Sequence, residues 1–148
     1  MPQSLANVVV HLVFSTKNRT EWLEPRIREE LLPYFVGILK NVGCTPIQVG
    51  GHTDHVHLLF AMTRTRTIAQ VVEEVKTGSS KWIKTKGIAA FAWQSGYGVF
   101  SVSMSHVDTV VAYVRNQEEH HKTVSFMDEF RALMKEANIE IDERYVWD

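Results

Sequence analysis

The segment Val8–Ser15 constrains the fold most. Val8, Val10, Leu12 and Phe14 alternate with Val9, His11 and Val13, so apolar residues occupy both parities. A strand with one solvated face does not carry that pattern, which predicts a strand central in a sheet or covered on both sides. Covering it takes apolar material, and 45% of the 148 residues are hydrophobic and 10% aromatic. That supplies a core, excludes wholesale disorder, and at this length predicts one domain, 1–148. The single Cys44 excludes an intramolecular disulfide framework and a multi-cysteine zinc site and fits a reducing compartment. No signal peptide is expected, because Asn7 and the charged Lys17–Arg19 segment interrupt the early apolar stretch. Apolar runs fall far short of the ~20 residues a membrane span requires, so a cytoplasmic chain without membrane partners is expected.

Further along, Pro25 suits a first helical position, and Ile27, Leu31, Leu32, Phe35, Ile38 and Leu39 keep helical spacing up to Gly43. Pro33 predicts a kink or break in that helix. Thr45–Val49 and His55–Met62 read as strands of an antiparallel hairpin turning at Gly50-Gly51. Thr67 caps a predicted helix carrying Ile68, Val71, Val72, Val75 and Ile83, weakened in its middle by Gly78-Ser79-Ser80. Val99–Met104 alternates as a fourth strand. Ser105–Asp108 and Ser125–Asp128 each signal a further helix start, the second helix ending near Asn138. The order β-α-β-β-α-β followed by two helices predicts an α+β fold, the ferredoxin-like split βαβ plan with an antiparallel sheet. Its core spans about residues 8–105, with a helix over 106–121 and a C-terminal helix and tail over 122–148. Helices cover one sheet face in this plan, and the face left open is where function is sought.

The sharpest chemical signal is Asp54-His55-Val56-His57-Leu58-Leu59-Phe60. Side chains alternate along a strand, so His55 and His57 share a face about 6.6–6.8 Å apart, while Val56, Leu58 and Phe60 face the core. Two imidazoles at that spacing can converge on a divalent cation; equally, they can be polar residues on the exposed side of an amphipathic strand. Downstream, Tyr113 and Gln117 are four apart on a predicted helix and share a face beside the stripe of Val107, Val110, Val111 and Val114. A glutamine oxygen can complete a two-histidine metal site, with the tyrosine in reach of a bound substrate; the plainer alternative is a tyrosine packed at a helix edge. His120 and His121 read as another ligand pair or, more simply, as a solvated helix end. The net charge of −1 hides segregation: four lysines and no acid lie between Lys76 and Lys86, which is either a basic face or a solvated helix surface.

Taken together and in order, these motifs resemble the small single-tyrosine HUH transposases of hairpin-ended bacterial insertion sequences. His55-Val56-His57 fits the histidine–bulky apolar–histidine motif, and Tyr113 with Gln117 fits the family's helical tyrosine and glutamine. The strand before Ser15-Thr16-Lys17-Asn18-Arg19 and the stretch Trp93-Gln94-Ser95-Gly96-Tyr97-Gly98 also look like this family, over about Val8 to Trp147. Thr53 departs from the proline many relatives carry before the Asp-His-x-His run, which alters the turn rather than the ligands.

The resemblance implies cleavage and rejoining of single-stranded DNA at insertion-sequence ends through a covalent 5′-phosphotyrosine. Tyr113 would be the nucleophile, and His55, His57 and Gln117 would hold a divalent metal, Mg or Mn. Exchanging one diester for another needs no nucleotide cofactor, and no G-x-x-x-x-G-K-[ST] loop occurs in the chain. Relatives act on hairpin DNA as homodimers, each lending its tyrosine helix to its partner, so a homodimer with Tyr113 acting in trans is the expectation. Candidate DNA contacts are Lys17 and Arg19 after the first strand, and Lys76, Ser79, Ser80, Lys81 and Lys84 around the second helix, with Trp82 a possible stacking partner for a base or simply core. The competing readings are a non-catalytic single-stranded nucleic-acid-binding module and a metal-dependent hydrolase in which Tyr113 is structural. An aromatic base-stacking sheet is poorly supplied here, with only Phe14 on the first strand and Phe60 on the third.

Overall fold

The computed structural model describes residues 2–148. Strand β1 (Val9–Ser15) is buried along its whole length, as its two-parity apolar pattern requires. With β2 (Thr45–Gly51), β3 (His55–Ala61) and β4 (Gly98–Val102) it forms a four-stranded sheet in the order β2-β3-β1-β4. All three pairings are antiparallel. Helices α1 (Pro25–Asn41) and α2 (Ile68–Thr85) cover one face, which is the ferredoxin-like plan. Val10, Leu12, Phe14, Val56, Leu58 and Phe60 point into the core beneath them, against Leu31, Phe35, Leu39, Val72 and Val75.

Local chemistry sets the element ends. Pro25 opens α1, where a missing N–H costs nothing, and Gly43 at φ +89° closes it, letting the Cys44 N–H reach the Leu39 carbonyl at 2.9 Å. The kink or break expected at Pro33 is not realised: α1 runs as one 17-residue helix. Pro33 and Glu29 both lie on the solvent side, so the Glu29 carbonyl left without an N–H partner opens to water. Thr67 and Gln70 cap α2 reciprocally. That helix continues through Gly78-Ser79-Ser80, where the Ser79 hydroxyl donates to the Val75 carbonyl at 2.6 Å. Gly50 and Gly51 belong to β2 rather than to the hairpin turn.

The second sheet face is not open, contrary to the plan read from the sequence. It is covered by α3 (Val107–Arg115), the single turn α4 (Gln117–His120) and α5 (Phe126–Glu136). A 3-10 turn over Met104–His106 leads into α3 in place of the expected side-chain cap at Ser105. Ser125 does cap α5, accepting from the Asp128 N–H at 3.2 Å. Val13 of β1 packs against Phe126, Phe130 and Met134 of α5, forming a second, smaller core. On the other side α3 descends so far onto β2 that a Cβ at Gly50 would sit 2.1 Å from the Val114 carbonyl oxygen. Glycine is therefore required there by the approach of another backbone. No helix among the described residues is long and apolar enough to cross a membrane.

Candidate active site

Antiparallel pairing sets Ser15 opposite His55 and Val13 opposite His57. Strand parity then turns both imidazoles onto the face beneath α3–α5, where each is completely buried. Their outer nitrogens are fixed by neighbours: His55 Nδ1 lies 2.8 Å from Asp54 Oδ1, and His57 Nδ1 lies 2.8 Å from His11 Nε2. His11 stacks on His57 with ring centroids 5.0 Å apart. Their inner nitrogens, both Nε2, face a single carboxylate oxygen, Glu129 Oε1, at 3.3 and 3.1 Å.

Gln117 is almost wholly buried, and its amide donates to the Tyr113 carbonyl, which directs Oε1 inward to within 3.0 Å of His55 Nε2. The helix expected to carry both residues is interrupted at Asn116, between α3 and α4, yet the i, i+4 relation survives as this hydrogen bond. Tyr113 is half-buried, with its ring edge-on to His57 (5.6 Å), His11 (6.1 Å) and His120 (5.4 Å). Its hydroxyl donates to Glu129 Oε2, so one carboxylate bridges the phenol and the histidines. Beside it, a cleft of about 420 Å³ opens between β4, α3 and α5, lined by His11, Phe100, His106, Val110, Leu133 and Glu136. Within this chain Tyr113 is seated over its own sheet.

Two residues outside the expected metal-holding set belong to this cluster. His121, read with His120 as another ligand pair or as a solvated helix end, has Nε2 at 2.9 Å from Gln117 Oε1 and 3.3 Å from Glu129 Oε1. Glu129 itself comes from α5. His55, His57, His121 and Glu129 offer ligand atoms that all lie within 4.8 Å of one another, a donor set that could hold a metal ion. His120 Nε2 is 3.1 Å from Glu129 Oε2 but out of hydrogen-bonding alignment, and it is left without a partner among the described residues.

Electrostatics follow from this packing. Burial, and then the charge and hydrogen bond of Glu129, push the Tyr113 phenol well above its ordinary value. Burial opposes ionisation of Glu129, but hydrogen bonds from His121, His55 and His57 overcome it and hold the carboxyl far below the usual range. Burial lowers His57 to about 4 and His11 to about 3, while His55 rises to about 9 because Asp54 and Glu129 outweigh its burial. The signs predict a stability maximum for the metal-free protein. The depressed groups contribute stability present above their unfolded values: that of His57 and His11 is lost as pH falls below about 6.5, that of Glu129 only below about 4.5. The raised His55 contributes stability present below about 6.5 and lost as pH rises towards 9. Thermal melts without added metal should peak near neutrality and fall on both sides; a monotonic profile from pH 4 to 9 contradicts the arrangement.

The candidate DNA contacts separate into two groups. Ser79 cannot meet DNA: it is fully buried, donating to Val75 and accepting from Trp93 Nε1 at 3.0 Å. Lys76 is occupied, its ammonium donating to the carbonyls of Gln94 (2.8 Å), Ser95 (3.3 Å) and Gly96 (2.7 Å), and burial lowers it to about 8. Arg19 is engaged with the C-terminal tail, donating to the Trp147 carbonyl at 2.8 Å. Trp82 stacks on Tyr34 with centroids 5.3 Å apart. Lys17, Lys81 and Lys84 are exposed. Ser80, Lys81 and Lys84 line a cleft of about 420 Å³ with Phe91 and Trp93. Lys17 adjoins that cleft through its N–H bond to the Ala92 carbonyl at 2.8 Å.

Fold and site together define a class: a ferredoxin-like α+β domain with a buried histidine pair facing a tyrosine helix on its far sheet face. The family model of IS200-like transposases matches residues 4–117, and the chain belongs to that family of DNA-processing enzymes. The match ends at Gln117, so His121 and Glu129 lie beyond it. Among solved structures, one resembling this chain is a candidate transposase from Deinococcus radiodurans R1, at 22% identity, TM-score 0.62, and coverage of 79% of this chain and 98% of that one. Another is a REP-associated tyrosine transposase bound to a REP hairpin, at 12% identity, TM-score 0.62, and coverage of 84% and 74%. Both likenesses are of fold. No curated protein matches the chain.

Proposed function

We propose that this transposase cleaves and rejoins single-stranded DNA at hairpin-bearing insertion-sequence ends through a 5′-phosphotyrosine on Tyr113, in the cytoplasm. The observation that carries this reading is the cluster in which a half-buried phenol and two imidazoles meet across one carboxylate. In the reaction, the Tyr113 oxygen forms a bond to the scissile phosphorus as the bond from phosphorus to the 3′ oxygen breaks. The departing oxygen gains a proton and leaves as a 3′-hydroxyl. Rejoining reverses the step, and a new 3′-hydroxyl releases the tyrosine.

His55, His57 and Gln117 would hold a divalent cation, and their inward nitrogens and oxygen suit one. When bound, the ion would polarise the phosphate and stabilise the departing oxygen. Asp54 and His11 hold the two imidazoles in position from behind. Glu129 Oε2 takes the hydrogen bond of the phenol and keeps it neutral in the resting protein. The phenolic proton must leave before attack, since a free tyrosine has a pKa of ~10.

Incubating the protein with Mn²⁺ and a labelled DNA hairpin separates this reading from its competitors. A covalent protein–DNA adduct is expected. Cleavage without an adduct would indicate a hydrolase, and binding alone a recognition module; either overturns the proposal.

For the grip on DNA we propose Lys17, Ser80, Lys81 and Lys84. The Thr16–Trp93 bridge connects this cleft to the end of β1 where Ser15 opposes His55. Replacing Lys81 or Lys84 with Ala should flatten the log–log salt dependence of hairpin binding by roughly 0.7–0.9 for each phosphate no longer neutralised. An unchanged slope in both variants places the DNA elsewhere.

A further inference from the structure

We infer that His121 and Glu129 are direct metal ligands, so that five side chains of this chain converge on one ion and the C-terminal helix α5 is fastened to the sheet through it. This rests on the reading of His55, His57 and Gln117 as metal-holding residues, and extends it into the segment beyond the family match.

The orientation of the rings carries the inference. His121 Nδ1 lies against the Val124 carbonyl, which can only accept, so Nδ1 bears the hydrogen. His55 Nδ1 likewise faces the Asp54 carboxylate. In their neutral forms both rings therefore turn an Nε2 lone pair inward. These nitrogens converge with Gln117 Oε1 at 3.0 and 2.9 Å, and with Glu129 Oε1 at 3.3 Å from each. Gln117 keeps its oxygen turned inward, because its nitrogen is donating to the Tyr113 carbonyl. In the metal-free protein hydrogen bonds from the imidazoles to Glu129 fill these contacts, and a cation held by the same atoms, all within reach of one point, would take the place of those protons.

Spacing agrees. Donors bound about 2.1 Å from a common ion stand about 3.0 Å apart at right angles and about 3.4 Å apart at tetrahedral angles. The five contacts among His55, His57, His121, Gln117 and Glu129 run from 2.9 to 3.3 Å. Three imidazole nitrogens, one carboxylate and one amide oxygen form a set suited to first-row transition ions such as Mn²⁺, Co²⁺ or Zn²⁺ rather than to Mg²⁺, which prefers oxygen.

The test is metal binding by the full chain, stripped with chelator and titrated calorimetrically with Mn²⁺, Zn²⁺ and Mg²⁺. Wild type is expected to bind Mn²⁺ and Zn²⁺ at one site, and Mg²⁺ far more weakly. Glu129→Gln and His121→Gln, chosen to keep shape, should each weaken binding by at least the roughly 10–100-fold that loss of an outer supporting partner costs. The Co²⁺-loaded protein supplies a second readout: its visible absorption should change in both variants and stay unchanged in the exposed control His106→Ala. Wild type that binds metal, with both variants matching it in affinity and Co²⁺ spectrum, overturns the assignment of His121 and Glu129 while leaving the histidine pair intact. Wild type that binds no metal at all overturns the metal reading of the whole site. Circular dichroism on each variant separates lost binding from lost fold.

Discussion

Tyr113→Phe is expected to abolish the covalent protein–DNA adduct and to lower strand cleavage on the order of 10⁶-fold, the scale seen when a covalent nucleophile is deleted. Hairpin affinity should change little, because the exposed lysines of the α2 cleft lie apart from the phenol. The fold should also survive. The ring keeps its edge contacts with His57, His11 and His120, and the one interaction removed is the hydrogen bond to Glu129. The seat of Tyr113 on its own sheet adds a second expectation: mixing Tyr113→Phe subunits with His55→Ala subunits should restore no adduct. Adduct formation by Tyr113→Phe alone removes the nucleophile from the account; recovery in the mixture shows that the tyrosine helix crosses between subunits, as the family resemblance implied.

Gly50→Ala should have the largest effect on stability. The added methyl would lie 2.1 Å from the Val114 carbonyl oxygen and 3.0 Å from its carbonyl carbon, and a backbone cannot swing aside as a flexible side chain can. Overpacking at a site this closed should cost about 3 kcal/mol, the upper end of the usual range, roughly 6–12 °C in Tm for a chain of this size. The damage reaches the chemistry as well. Relief of the clash lifts α3 from β2, and α3 carries Tyr113 and leads into Gln117. Adduct formation should therefore fall well below wild type even at temperatures where the variant is folded. Gly37→Ala is the matching control: no atom lies within 4 Å of that position on the exposed side of α1, and alanine there should stabilise the helix by about 0.5–1 kcal/mol. A Gly50→Ala protein with wild-type Tm and wild-type adduct yield contradicts the close seating of α3.

What was legible in the sequence is what depends on neighbours a few residues apart. Alternation alone put His55 and His57 on one face and Val56, Leu58 and Phe60 on the other. Thr67 with Gln70, and Ser125, announced helix starts because capping is local. Glu129 was hidden in plain view: it follows an N-cap serine by four residues, where an acid is ordinarily explained by the helix dipole. Yet it also falls on the apolar stripe of Phe126, Phe130, Leu133 and Met134, and a carboxylate on a buried stripe is a signal of something for it to meet. His121 carried a similar clue, four residues after Gln117. The covering of the second sheet face depended on Gly50, a glycine inside a strand, whose meaning appears only when α3 is brought against it. Ser79 and Lys76 show the reverse failure. A basic, hydroxyl-rich stretch of α2 suggested a DNA-contacting surface, but Trp93 and the carbonyls of residues 94–96, brought in by the return of the chain, already occupy these two side chains.

Mass spectrometry of the adduct trapped between the wild-type protein and a labelled hairpin tests the central proposal most directly. After nuclease and protease digestion, the peptide containing Tyr113 should carry the mass of a 5′-linked nucleotide, and no other tyrosine should. A nucleotide on Tyr34, Tyr97 or Tyr145 instead, or cut DNA with no modified tyrosine, would contradict it.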